Sequence, residues 1–289
     1  MSTSPSSAAL SPVDAPRCHL AESPRWDGVA WWWLDVTIGA VYRMAPGEPA
    51  RLVLRTGRRA SFLAPLAPGR LVLADGARLR RLTVAGDLAV HAAPWVRLSL
   101  PEGWLLNDGC LAPDGSVWVG SVPPASGDGR RPPDGALIRI ATDGTITSPV
   151  SGFALSNGLA WTDARTLLHV DSQSGIVWRH RFDDGFTRAA STEYLRVPAE
   201  EGLPDGLAVT DSGVVWLAVY GAGEARAIRD GRTVARVPVP AAQVTAVAVG
   251  GAAAGHLLVT TAREGFDAAR SAAEPAAGMV FSGPVSGIW

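Results

Sequence analysis

Asn107 and Asn157 are the two asparagines of a 289-residue chain. Such scarcity asks what an amide does there that Ser, Asp or Gly would not. All 26 basic residues are Arg and none is Lys. Schiff-base and pyridoxal chemistry on a lysine, and a P-loop lysine, are thereby excluded. Acid, amide and metal chemistry remain. Glu22, Asn157 and Asp205 supply only oxygen. Two carboxylates and an amide carbonyl suit a hard divalent cation, with water filling its other positions. The five His show no ligand spacing and read as strand or surface residues, which argues against an imidazole zinc site.

Residues this far apart in sequence meet only if the fold brings them round a common axis. A repeat does so. The phrase Gly, spacer, apolar residue, Arg stands at Gly39 to Arg43, Gly135 to Arg139 and Gly175 to Arg179. Looser copies begin at Gly76, Gly223 and Gly278. Before each copy comes a short apolar strand, a tight turn and another strand, as in 157–161 with 167–170 and 205–209 with 214–217. The longest helix candidate, residues 267–276, is short and carries Pro275. Six such units predict an all-β, six-bladed β-propeller, a ring of blades that leaves only short strand edges. Its Trp residues, among them Trp118, Trp161, Trp178 and Trp216, read as blade packing.

Aligning the six phrases places Glu22, Ser61, Asp108, Asn157, Asp205 and Thr245 at one register on the strands lining the channel. Asn107 lies one position earlier. Asp-Gly occurs ten times in the chain, and most copies are ordinary turns. The register singles out Asp108 and Asp205. For Asn157, left-handed turn geometry before Gly158 is the competing explanation.

A net charge of −1 makes no case for nucleic acid or an anionic membrane. Residues 1–15, rich in Ser, Pro and Ala without a basic-then-apolar leader, read as a disordered tail, and 16–289 as one domain. Cys18 and Cys110 are too few for a disulfide scaffold and read as reduced, in a cytoplasmic protein. The uncharged run 237–262 is broken by Pro and Gly; it reads as two strands around a turn rather than a membrane span. The expected partner is a small-molecule substrate, with the protein a monomer or weak oligomer.

Taken in order, Leu20 to Trp26, Trp32 to Val36, Ser61 to Pro65, Asn107-Asp-Gly, Ser156 to Leu159, Pro204 to Leu207, Leu258 to Arg263 and Ala277 to Phe281 resemble the gluconolactonase/regucalcin family of six-bladed propellers. The resemblance runs from about Cys18 to Gly287. It implies a hydrolase that opens a sugar-type lactone with one divalent metal ion (Ca, Mn, Fe(II) or Zn). Glu22, Asn157 and Asp205 would hold the metal, and Asn107 would face the substrate. The cation would polarise the lactone carbonyl and stabilise the oxyanion. Asp205 is the expected base and Asp108 the second candidate. Trp104, just before Asn107, is expected at the channel mouth. One departure stands out. The family carries an Arg two residues before this Asn, where the chain has Leu105. Either Arg58 or Arg59 takes its place, or the substrate is a less polar lactone, an ester or a biosynthetic intermediate. A non-catalytic binding propeller is the alternative of a different class.

Overall fold

The computed structural model describes residues 10–85, 88–187, 189–251 and 255–285. Six four-stranded antiparallel sheets stand around a central channel. Blade 1 is completed by β2 (Ala21–Trp26), β3 (Trp31–Asp35), β4 (Ala40–Met44) and β5 (Arg51–Arg55), preceded by the two-residue β1 (Ser11–Pro12). Blade 2 holds β6 (Ala60–Ala67), β7 (Arg70–Asp75), β8 (Arg78–Val84) and β9 (Val90–Arg97). Blade 3 holds β10 (Leu105–Leu111), β11 (Val117–Val122), β12 (Gly135–Ile140) and β13 (Ile146–Phe153). Blade 4 holds β14 (Ser156–Trp161), β15 (Thr166–Asp171), β16 (Ile176–Phe182) and β17 (Ala189–Arg196). Blade 5 holds β18 (Leu203–Val209), β19 (Val215–Tyr220), β20 (Glu224–Arg229) and β21 (Arg232–Pro238). In blade 6, β22 (Val244–Gly250) and β23 (His256–Thr261) are followed by β24 (Phe281–Pro284), and β1 pairs with β24 to close the ring.

The second strand of each blade is covered on both faces, which is why 31–35 and 215–220 read as nearly unbroken apolar runs. Alternate residues of such a strand face opposite neighbours. Trp32 and Leu34 pack towards blade 2, while Trp31 and Trp33 pack towards blade 6. Six hydrophobic clusters fill the six gaps between blades, and Trp118, Trp161, Trp178 and Trp216 belong to them as expected. Outer strands such as β21 alternate between exposed and covered positions. Part of the segment read as a tail is structural. Ser11 pairs with Ser282, Val13 and Ala15 pack against the blade 6–blade 1 cluster, and residues 1–9 lie outside the described residues. The sole α-helix among the described residues, α1 (Ala268–Ala273), is capped by the Asp267 side chain accepting from the Arg270 N–H. No helix among them is long and apolar enough to cross a membrane. Cys18 and Cys110 are free and buried in separate clusters, and burial pushes both thiols up to about 12.

Every channel-lining strand carries a register shift near its start: between Glu22 and Arg25, Ala60 and Leu63, Leu106 and Gly109, Ser156 and Leu159, Pro204 and Leu207, and Val244 and Ala246. Such bulges bend a strand and re-aim a side chain. The glycines in them are demanded by the neighbouring blade. A Cβ on Gly158 would fall 2.6 Å from the Asp205 carbonyl oxygen and 2.6 Å from the Leu207 nitrogen. One on Gly206 would collide with the Ala246 side chain. Neither glycine has positive φ, and neither does Asn157. The Asn-Gly and Asp-Gly pairs at the register are therefore strand residues at a close blade contact, not turns.

Candidate active site at the channel mouth

The bulges deliver one residue per blade to a common level. Glu22 is the second residue of β2, Asn157 the second of β14 and Asp205 the third of β18. All three line one cavity of about 280 Å³ at the channel mouth, together with Arg59, Leu105 and Asn107. The residue after Glu22 shows how tightly the bulge is held. Ser23 has φ of 53°, costly for a non-glycine residue. Its hydroxyl donates to the Leu63 carbonyl (3.3 Å) and accepts from the Leu63 N–H (3.0 Å), fastening blade 1 to blade 2.

Asn157 and Asp205 are nearly covered, at 8% and 6% exposure. The Asn157 amide donates to Ser172 Oγ at 3.2 Å, which leaves its carbonyl oxygen free as a donor to a cation. Asp205 Oδ1 is buried with no hydrogen-bond partner. An orphaned carboxylate oxygen of this kind is costly unless something positive meets it. Burial pushes Glu22 up to about 8, the negative charge of Asp108 adds to it, and the Ser23 N–H, Arg59 and Arg25 oppose it. Asp205 is raised well above the usual carboxylate range, by burial first and then by Glu22 and Asp108. Hydrogen bonds from the Gly206 N–H and the Asn157 side chain pull the other way. Two carboxylates that are both hard to ionise, beside a free amide carbonyl, fit a divalent cation of oxygen preference. Among the described residues no three His, Cys, Asp or Glu side chains cluster as metal ligands.

Asn107 also lines the cavity, and its Nδ2 donates to the Ser156 carbonyl at 2.9 Å. Ser156 is in turn held by His169, whose Nε2 lies 2.7 Å from Ser156 Oγ, while His180 Nε2 lies 3.3 Å from His169 Nδ1. Both imidazoles are buried inside blade 4, and burial lowers both, His180 to about 4. They hold Ser156, whose carbonyl accepts from Asn107.

Two of the expected site residues are not brought to this cavity. Asp108 turns its carboxylate to Arg25 of blade 1, with Arg25 Nη2 at 3.0 Å and the Gly109 N–H at 2.8 Å from Oδ1, and it does not line the cavity. Its influence on Glu22 and Asp205 is that of a nearby charge. Trp104 precedes the first residue of β10 in a turn closed by its N–H on the Pro101 carbonyl, and it lines a separate depression with Leu98 and Leu100. Of the two arginines considered, Arg58 pairs with Asp75 at 3.1 Å, whereas Arg59 lines the cavity. Arg131, Ser172, Tyr220 and Glu264 complete the polar lining and were not foreseen. Tyr220 ends β19, and Ser172 and Glu264 follow β15 and β23. The ends of second strands thus face the same mouth as the starts of first strands. Burial and the charges of Glu264 and Asp205 push Tyr220 up to about 12, which keeps its phenol neutral.

Comparison with known proteins gives the family and the fold. Residues 20–263 match the family described as "SMP-30/Gluconolactonase/LRE-like region". A pentonolactonase of Haloferax volcanii is 30% identical over 251 residues, covering 85% of this chain and 82% of its own length. Among solved structures, a luciferin-regenerating enzyme superposes with a TM-score of 0.84 at 24% identity, covering 97% of this chain and 96% of that one. A calcium-binding regucalcin of Agrobacterium tumefaciens superposes with a TM-score of 0.83 at 23% identity, covering 96% and 93%.

Proposed function

Given that the chain belongs to the SMP-30/gluconolactonase/LRE-like family, we propose that it is a divalent-metal-dependent lactonase that hydrolyses a sugar-type lactone to its hydroxy acid. The observation that carries the reading is the unpartnered, buried Asp205 Oδ1 in the cavity that Glu22 and Asn157 also line. Glu22, Asn157 and Asp205 would hold the cation. When bound, it supplies charge to polarise the lactone carbonyl and to stabilise the developing oxyanion.

The remaining work falls to side chains of this chain. Asp205 is the base: it takes a proton from the attacking water and returns it to the ring oxygen as the acyl C–O bond breaks. Water adds across that bond, so one hydroxyl and one carboxyl group result and no further reactant is needed. Asn107, with one N–H committed to Ser156, offers its carbonyl oxygen and second N–H to ring substituents. The neutral Tyr220 phenol can donate to the substrate, and Leu105, Leu155 and Leu203 cover its carbon skeleton and limit water at the reacting bond.

The test is proton release on lactone opening. Asp205→Ala and Asp205→Asn should each lower kcat by about 10²–10⁴-fold, the range for a positioned acid–base group. Treatment with a chelator should abolish turnover, and added divalent cation should restore it. Full activity in chelator would overturn the metal-dependent reading.

A further inference from the structure

Leu105 stands on the arc of the mouth formed by blades 2 and 3. The side chain there is 42% exposed and offers no polar atom. Arginines from both blades nevertheless line the same cavity. Arg59 comes from the residue before β6, its carbonyl accepting from the Gly76 N–H at 3.1 Å. Its Nε is buried and has no hydrogen-bond partner. Arg131 comes from the Pro-rich stretch between β11 and β12. That stretch is locked to blade 4, because the Arg131 N–H donates to Gln173 Oε1 at 2.8 Å and Gln173 Nε2 donates to the Arg131 carbonyl at 2.9 Å. Arg131 Nη1 spends one donor on the Pro123 carbonyl at 2.5 Å. Among the described residues neither guanidinium forms an ion pair, although nine other arginines do.

Two half-buried guanidiniums without an ion pair in a small cavity can accept a ligand that supplies opposite charge. With a divalent cation offsetting Glu22 and Asp205, the ionisable lining left over is Arg59 and Arg131 against the single carboxylate of Glu264. The balance is positive. We propose that Arg59 and Arg131 form an anion subsite beside Leu105, and that the lactone accepted here carries a second ionised group, a carboxylate set off from the ring. The planar fork of a guanidinium matches the two oxygens of a carboxylate, whereas a ring hydroxyl would use only one donor. The apolar Leu105 then lies against the carbon chain that joins ring and carboxylate. This inference rests on the lactonase reading for the words "lactone accepted" but not for the anion subsite itself.

The test uses two lactones of the same ring and stereochemistry, one ending in a hydroxymethyl group and one in a carboxylate. The readout is the ratio of their kcat/KM values. Wild-type protein should favour the carboxylate-bearing lactone by at least about tenfold, the size of one charged hydrogen bond. Arg131→Gln and Arg59→Gln should each lower that ratio about tenfold or more, through KM, and Arg131→Lys should recover part of it. A wild-type preference for the neutral lactone, or a ratio that neither Gln variant moves, would overturn the proposal. A second arm measures binding of the two open-chain acids to cation-loaded protein by titration calorimetry. If no lactone is opened yet the dicarboxylate binds tighter and loses that advantage in Arg131→Gln, hydrolysis fails and the anion subsite stands. If wild-type protein binds both acids equally, the subsite is refuted whatever the turnover. Thermal melts of each variant confirm that the ring is intact.

Discussion

Glu22 and Asp205 are held in a state that each would leave if alone. Asp205 is buried and Glu22 half-buried, both are raised, and the charge of Glu22 adds to the shift of Asp205. For a carboxylate raised by folding, the folded chain binds more protons than the unfolded one between the two pKa values. Stability of the metal-free protein is then lost as pH rises from the unfolded value of about 4.3 through the folded value of about 8. Glu22→Gln removes that slope and also relieves Asp205. The variant should melt higher than wild type in chelator at pH 8, by roughly 2–6 °C, and lose lactone turnover. Scanning calorimetry across that pH range checks the sign; a variant that melts lower throughout would show that Glu22 is ionised at no cost. Stability is thus spent at the residues that hold the charge. The two asparagines were legible in sequence because the chain has so few of them, and the repeat gave them a common level. Arg131 was not legible. What brings it to the mouth is a pair of hydrogen bonds to Gln173, 42 positions away, and no local pattern records that contact.

At the scale of the element, the bulge is the working part. All six channel strands shift register near their starts, and the small residues there let adjacent strands touch. Gly158→Ala would press a methyl group on two backbone atoms of β18, which cannot swing aside as a flexible side chain can. The expected loss is about 1–3 kcal/mol in chemical denaturation, with activity falling as Asp205 is displaced. Gly127→Ala is the control: it has open space and no positive φ, and should stay within about 0.5 kcal/mol of wild type. Strand order, blade count and the site register followed from the repeat, because short apolar runs between turns are local signals. The bulges were not foreseen, since nothing in a run such as Ser156-Asn-Gly-Leu states that two residues oppose one across the ladder. Asp108 and Trp104 stand outside the cavity for the same reason. The bulge between Leu106 and Gly109 sends Asn107 to the cavity and Asp108 to Arg25, and Trp104 falls before the strand begins.

At the scale of the molecule, the ring is fastened in one blade by strands from opposite ends of the described chain. Beyond β1 on β24, Leu20 bridges Ala262, the Cys18 N–H donates to the Gly278 carbonyl, and Thr245 Oγ1 donates to the Ala21 carbonyl. Deleting residues 1–15 should therefore lower the melting temperature by several degrees and promote association through the bared edge of β24, read by thermal melts and gel filtration. An unchanged melt would mean that the clasp between blades 6 and 1 needs no fourth strand. The seam has one more consequence. Glu22 stands on one side of blade 6, and Asn157 and Asp205 reach the cavity from blades on the other. An ion shared among them would tie together the two arms of an open ring, so that prising the seam apart would first require the ion to depart. Such a protein would keep time by its surroundings: where the cation is plentiful the ring would stay shut for long periods, and where it is scarce the molecule would become a short-lived one, ready for turnover before any change in its sequence.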